Sequence, residues 1–161
     1  AAILFTVLAL PAAAQQVRDT HLERNGAWDV FYAEDGSLAW CSAETDNNNF
    51  QTFTVAGFST GDGGLFIFDD RWNFHERDVA FILDIDGLRW DITGTASGDN
   101  LSLIFNDVDD TLQFLQDLAG GSSVTVRDTD FSTVGSFSLA GSRASLSSMI
   151  DCWSSIVPAS F

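Results

Sequence analysis

The most informative shortage in this sequence is lysine, which is absent. Seven arginines stand against 23 acidic residues, which gives a formal net charge of −16 at pH 7. Nucleic acids and anionic lipid surfaces bind proteins through clustered basic side chains, so both would be repelled by this chain. The charge therefore argues against nucleic acid as a partner and is typical of an acidic secreted protein, whose surface attracts cationic partners or divalent ions.

Cysteine is scarce as well, since Cys41 and Cys152 are the only two in the chain. Isolated cysteines lack the paired spacing of zinc sites, and only His21 and His75 are available to join them, so no metal centre is expected. In an exported chain, two cysteines most simply form one disulfide; the alternative is a pair of buried thiols. In the chain-entropy model, closing a loop of this size contributes about 4–5 kcal/mol.

Long apolar runs are missing except at the start. Residues 1–10 are almost wholly apolar and lead into Pro11, three alanines and Gln15, which is typical of a secretory signal peptide whose beginning is absent. We expect residues 1–14 to be removed and residues 15–161 to form one domain. The alternative is that residues 1–14 are retained as a membrane anchor, although the visible run is shorter than the roughly 20 residues that span a bilayer.

Most of the remaining chain has the pattern of short antiparallel strands. Seven strand-like segments follow one another between residues 28 and 105, and Asp35-Gly36 and Asp86-Gly87 are typical hairpin turns between two pairs of them. Residues 65–68 are apolar without interruption, as in a strand that is buried on both faces. The polar residues 15–25 show no strand pattern and are expected to lead into the domain. This spacing predicts an antiparallel sandwich or barrel.

The last third of the chain changes to a helical period. One helix is expected to be capped by Asp109 or Asp110 and to end at Gly120-Gly121. A second is expected after Gly141, capped by Ser142, and its apolar face consists of Leu146, Met149, Ile150 and Trp153. We therefore predict a mainly β fold, an antiparallel β-sandwich with two short helices in the C-terminal third.

Several of these features occur together in one family. The Gly26-Ala-Trp28 strand, a cysteine on the next strand, and the closing unit from Asp109 to Cys152 with its Val-Thr-Val and Phe-Ser-Leu-Ala-Gly-Ser segments resemble the invasion-associated locus B family of proteobacterial periplasmic proteins. The resemblance implies a β-sandwich with peripheral helices, a location in the periplasm or cell envelope of a Gram-negative bacterium, and no established catalytic activity. An additional cysteine near the first strand of that family is absent here.

No arrangement of residues indicates an enzyme. Gly57-Phe-Ser-Thr-Gly61 matches the pattern of a serine-nucleophile elbow, but a strand pattern follows it instead of the helix that such an elbow requires, so we interpret it as a hairpin turn. No cofactor motif and no nucleophile–base pair are recognisable. The candidate metal ligands are carboxylates that could bind calcium in two aspartate clusters, namely Asp84, Asp86, Asp107 and Asp109.

Aromatic residues are abundant, with five tryptophans and fourteen phenylalanines. The irregular polar residues 69–78 contain Trp72, which we expect to be exposed. We predict that this segment binds a protein partner through four residues: Arg71, Trp72, Phe74 and His75. The expected function is that of a non-catalytic exported binding or accessory protein of the envelope. The alternatives are an accessory subunit of a membrane complex, if residues 1–14 are retained, and a carbohydrate-binding module with Trp28, Trp72 and Trp90 on one face.

Overall fold

The structure, a computed structural model, describes residues 18–159 as ten strands and two helices. The predicted signal peptide lies outside the described residues. The strands are β1 (Arg18–Asn25), β2 (Trp28–Asp35), β3 (Leu38–Asp46), β4 (Gln51–Phe58), β5 (Gly63–Asp69), β6 (Phe74–Ile85), β7 (Leu88–Gly98), β8 (Asn100–Phe105), β9 (Ser123–Arg127) and β10 (Thr133–Ser138). The helices are α1 (Val108–Gly120) and α2 (Ser142–Ile156).

All ten strands belong to one antiparallel sheet in the order β1-β2-β3-β4-β5-β8-β7-β6-β9-β10. A twisted sheet of this size curls, and here its last strand returns to the side of β2 and β4. The rings of Phe53 on β4 and Phe137 on β10 lie 5.4 Å apart in the core. The predicted mainly β, antiparallel class with two C-terminal helices is therefore confirmed, and its sandwich-like layers come from one sheet folded over itself.

Hydrogen bonds from side chains join the two ends of the sheet. Trp28 is fully buried, and its indole Nε1 donates to the Ser138 carbonyl at 2.9 Å. The amide of Gln51 donates to the Val134 carbonyl at 3.1 Å. Both bonds end on carbonyls of β10, so this edge strand is held against β2 and β4.

The expectation of an irregular lead-in before residue 26 is wrong, because β1 pairs with β2 from Arg18 opposite Glu34 to Asn25 opposite Trp28. As an edge strand, β1 gains its hydrogen bonds from the backbone of β2 and can keep polar side chains on both faces. Such a strand lacks the apolar alternation on which the prediction relied.

Helix α2 packs across the core face of β2–β4. On the face of α2 that meets the sheet, Leu146 and Met149 are buried, and the indole of Trp153 lies against Gly57 on β4. A Cβ at Gly57 would come within 2.1 Å of that indole, so the close contact requires glycine. The predicted disulfide is confirmed: Cys41 on β3 and Cys152 on α2 are bonded, with their Cα atoms 5.9 Å apart.

Both helices begin slightly differently from the prediction. The cap of α1 is Asp107, whose side chain accepts a hydrogen bond from the Asp110 backbone N–H, so the first acidic residue of the cluster is the one that caps. The cap of α2 is Gly141 in a left-handed conformation, and the Ser142 hydroxyl donates to the Leu118 carbonyl of α1. The serine therefore links the two helices and does not cap its own.

Candidate functional site

A groove of about 410 Å³ lies on the face of β1–β5 that points away from the core. We call it the outer groove. Its walls are aromatic, and its floor consists of smaller residues. The aromatic residues are Phe31, Trp40, Phe58, Phe66 and Phe68, and the floor residues are Ala33, Ser42, Thr54 and Ala56.

Strand alternation explains why these residues share one face. On β5, Leu65 and Ile67 are buried in the core, so Phe66 and Phe68, which alternate with them, point to the opposite face. The rings of Phe66 and Phe68 are nearly parallel, with centroids 6.2 Å apart. The continuous apolar run of β5 indicated a strand buried on both faces, but the five aromatic residues of the second face stay only half-buried.

Gly64 gives two of the aromatic rings their position. A Cβ at this residue would lie 2.7 Å from Phe66 and 3.0 Å from Phe58. The two rings therefore approach each other edge to face, at a centroid distance of 6.2 Å, over a backbone that carries no side chain. The groove wall therefore requires glycine at this position, because any side chain would displace the two rings.

The groove also contains a half-buried carboxylate, Glu44 on β3. Burial raises the pKa of Glu44 above its ordinary value, and the negative charges of Asp46, Asp19 and Asp29 raise it further. None of the ion pairs within residues 19–159 includes Glu44. The carboxylate is thus held in an apolar, acidic environment without a cationic partner among these residues.

Thr54 on β4 is the register partner of Glu44 and lines the same groove. Its side chain is 8 % exposed, and its hydroxyl oxygen is buried without a hydrogen-bond partner among the described residues. The hydroxyl is near enough to oppose the pKa shift of Glu44, but it does not reach hydrogen-bonding geometry with that carboxylate. A buried polar atom without a hydrogen-bond partner costs folding free energy, so it points to a ligand or neighbouring group that supplies the missing interaction.

The predicted partner-binding residues are not in the outer groove. Arg71 donates from its backbone and guanidinium to the buried Asp69, and also to the Asn49 carbonyl. Its guanidinium is the main reason that the pKa of Asp69 falls to about 2, although burial opposes the shift. The main contacts of Arg71 thus join β5 to the β3–β4 connection, and a role in partner binding stays a prediction.

Two structural expectations for the same segment are wrong. Trp72 is half-buried and packs against the core beside Phe74, with ring centroids 5.2 Å apart, so it is not exposed. The irregular stretch is also shorter than predicted, because Phe74 and His75 already belong to β6. His75 is exposed there. The sequence pattern did not reveal the first half of this strand, because that half is polar and contains a bulge between Phe74 and Arg77.

The first pair of calcium candidates has structural partners. Asp84 accepts hydrogen bonds from the Gly87 backbone at 2.7 Å and from the Arg127 guanidinium at 3.2 Å. Asp86 accepts from the backbone at Ser122, and this bond is the main cause of its lowered pKa. These contacts close the β6–β7 hairpin and fasten it to β9.

The second pair belongs to the beginning of α1. Asp107 caps the helix, and Asp109 lies in its first turn, where a negative charge is favourable at the positive end of the helix dipole. Within the described part of the chain, no group of three or more histidine, cysteine or acidic side chains is placed to hold a metal ion.

The serine of the Gly57–Gly61 motif lies in a hairpin connection. Its Oγ accepts a hydrogen bond from the Ala39 backbone at 3.1 Å, and β5 follows directly after residue 62. The interpretation as a turn is confirmed. The three tryptophans of the carbohydrate hypothesis do not form one face, because Trp28 is in the core and Trp90 packs on Phe114 of α1.

Between residues 18 and 159, no helix is long and apolar enough to cross a membrane. The disulfide is compatible with an oxidising compartment outside the cytoplasm. Comparison with family models, with curated proteins and with solved structures finds no match. The resemblance to the invasion-associated locus B family therefore stays a prediction.

Proposed function

We propose that this protein is an exported, non-catalytic binding or accessory protein of the bacterial cell envelope, and that the outer groove is its binding surface. The observation that carries the proposal is the groove itself. Five aromatic side chains are gathered on a sheet face that no helix or strand among the described residues covers, whereas the opposite face forms the core. Concave apolar surfaces of 300–1,000 Å³ with a few convergent polar groups are typical ligand sites.

The periplasm is the proposed location. The Cys41–Cys152 disulfide supports an oxidising compartment, and the apolar residues 1–10 with their small-residue cleavage site support export. The intact mass of protein isolated from its native envelope fraction tests this location. We expect a chain that begins at Gln15 and takes up two thiol labels only after reduction. A chain that retains residues 1–14 would favour the membrane-subunit alternative.

Binding at the groove is tested with a neutral, apolar fluorescent probe, N-phenylnaphthylamine. Ala56 lies on the groove floor, so Ala56→Phe should fill the groove and abolish the fluorescence gain on probe binding. Ala144→Phe adds the same ring at an exposed position of α2 and should bind like the wild type.

A second variant covers the case in which Ala56→Phe fails to fold. Phe66→Ala removes an aromatic wall from a half-buried position and should weaken probe binding about tenfold. Equal probe binding by the wild type and by folded groove variants would contradict the proposal.

A further inference from the structure

We propose that the outer groove binds a cationic amphiphile, a small molecule with one ammonium group beside Glu44 and an apolar body on the aromatic rings. This inference rests on the proposed function, because it names the ligand class of the same groove. It follows from the charge, the aromatic composition, the unpaired hydroxyl and the size of the groove.

Within residues 19–159, every charged residue that lines the groove is acidic: Asp19 and Asp35 are exposed, and Glu44 is half-buried. Two basic residues of β1, Arg24 and His21, contact Asp29. The groove therefore presents a negative potential that attracts a cation and repels an anion.

The charges around Glu44 come from three neighbouring strands. Asp46 is on its own strand, Asp29 on β2 and Asp19 on β1, and all three disfavour the ionised form of Glu44. No charged residue of β4 or β5 lines the groove. A bound ammonium group would reverse this repulsion, because an opposite charge at short distance favours the carboxylate. Ligand and ionised Glu44 would thus stabilise each other.

The aromatic walls suit an ammonium group with an apolar body. Cations bind over aromatic faces, and cages of several rings are a known way to recognise alkylated ammonium groups. The rings of Phe58 and Phe66 are set edge to face above Gly64, and Phe68 extends the same wall. Thr54 lines the same space, and its buried hydroxyl, which has no hydrogen-bond partner among the described residues, can donate to the neighbouring Glu44 carboxylate when a bound cation holds that carboxylate ionised. A volume of about 410 Å³ fits one small molecule.

The test compares three probes with the same alkyl chain and different head groups, in isothermal titrations below their micelle concentrations. They are octyltrimethylammonium, octyl sulfate and octyl glucoside. We expect the wild type to bind the cation at least about tenfold more tightly than the anion. Glu44→Gln should lose that preference and keep its affinity for the glucoside. Glu76→Gln makes the same charge change at an exposed position of β6 and should behave like the wild type.

Three outcomes would overturn the inference. If all three probes bind equally and Ala56→Phe abolishes their binding, the ligand class is wrong and the proposed binding function survives. If octyltrimethylammonium binds Ala56→Phe as well as it binds the wild type, the cation binds outside the groove. If no probe binds and a peptide or protein competes with N-phenylnaphthylamine for the groove, the partner is a macromolecule and the small-molecule assignment fails.

Discussion

Glu44 and Thr54 are directly opposite each other on β3 and β4, and both side chains face the outer groove. One is a half-buried carboxylate without a cationic partner within residues 19–159, and the other carries a buried hydroxyl without a hydrogen bond among the described residues. Neither arrangement stabilises the folded protein by itself. Two such groups side by side, inside an aromatic groove, point to binding more strongly than to packing.

Replacing the carboxyl group of Glu44 should stabilise the free protein at neutral pH. Its pKa lies above the ordinary value of 4.5, mainly because of burial, so the folded state holds its proton more tightly than the unfolded state. Stability therefore falls as the pH rises from 4.5 through the raised pKa, and the penalty is complete above it. Glu44→Gln should unfold at a higher temperature than the wild type at pH 7. The difference should vanish below pH 4.5, and a lower unfolding temperature at pH 7 would contradict the account.

Adding one methyl group at Gly57 should loosen α2. The new Cβ would overlap the indole of Trp153, whose Nε1 donates to the Phe58 carbonyl at 2.9 Å. We expect Gly57→Ala to lower the free energy of unfolding by about 1–3 kcal/mol in urea titrations, as overpacking does. The control is Gly120→Ala at the end of α1, where a Cβ meets no atom within 4 Å. If both substitutions lower the free energy of unfolding equally, the close contact between Gly57 and Trp153 does not stabilise the packing of α2.

Asp69 should stabilise the protein down to unusually low pH. Its carboxylate is 2 % exposed, accepts hydrogen bonds from Arg71 and Gln51, and has a pKa of about 2 against an ordinary value of 3.8. The lowered pKa means that its contribution is complete above 3.8 and is lost as the pH falls through about 2. Asp69→Asn should cost about 1.5–3 kcal/mol at pH 7. This difference, measured by urea titration, should shrink towards pH 2; a constant difference would show that charge is not its cause.

The disulfide should provide a large share of the stability. Cys41 and Cys152 are 111 residues apart in sequence, and the double serine variant should lose about 2–5 kcal/mol of unfolding free energy. Reduction of the wild type should have the same effect, and reductant should leave the variant unchanged. A wild type that resists unfolding equally with and without reductant would contradict this prediction.

The sequence predicted the fold better than the site. Alternation, Asp-Gly turns and helical spacing are local signals, and they revealed most strands, both helices and the disulfide. β1 and the first half of β6 were not predicted, because polar strand segments lack such signals. The outer groove was not predicted for another reason. Trp40, Phe58 and Phe66 come from three strands, and only the register of the sheet brings them together.

The run at residues 65–68 was the one local indication of the groove. It predicted a strand with two apolar faces, and the structure shows that the second face, with Phe66 and Phe68, is the wall of the outer groove. Residues 69–78 were predicted to bind a partner because their pattern is irregular and polar. In the structure, however, Arg71 and Trp72 contact Asp69 and the core, respectively.

The most direct test of the central claim is an amide chemical-shift map of the protein during titration with octyltrimethylammonium. We expect the shifts to concentrate on β3–β5, at residues such as Trp40, Glu44, Ala56 and Phe66, and the exposed face of α2 to stay unchanged. Glu44→Gln should need about tenfold more ligand for the same shifts. Shifts centred on residues 69–78, or spread evenly over the surface, would contradict the assignment of the outer groove as the binding site.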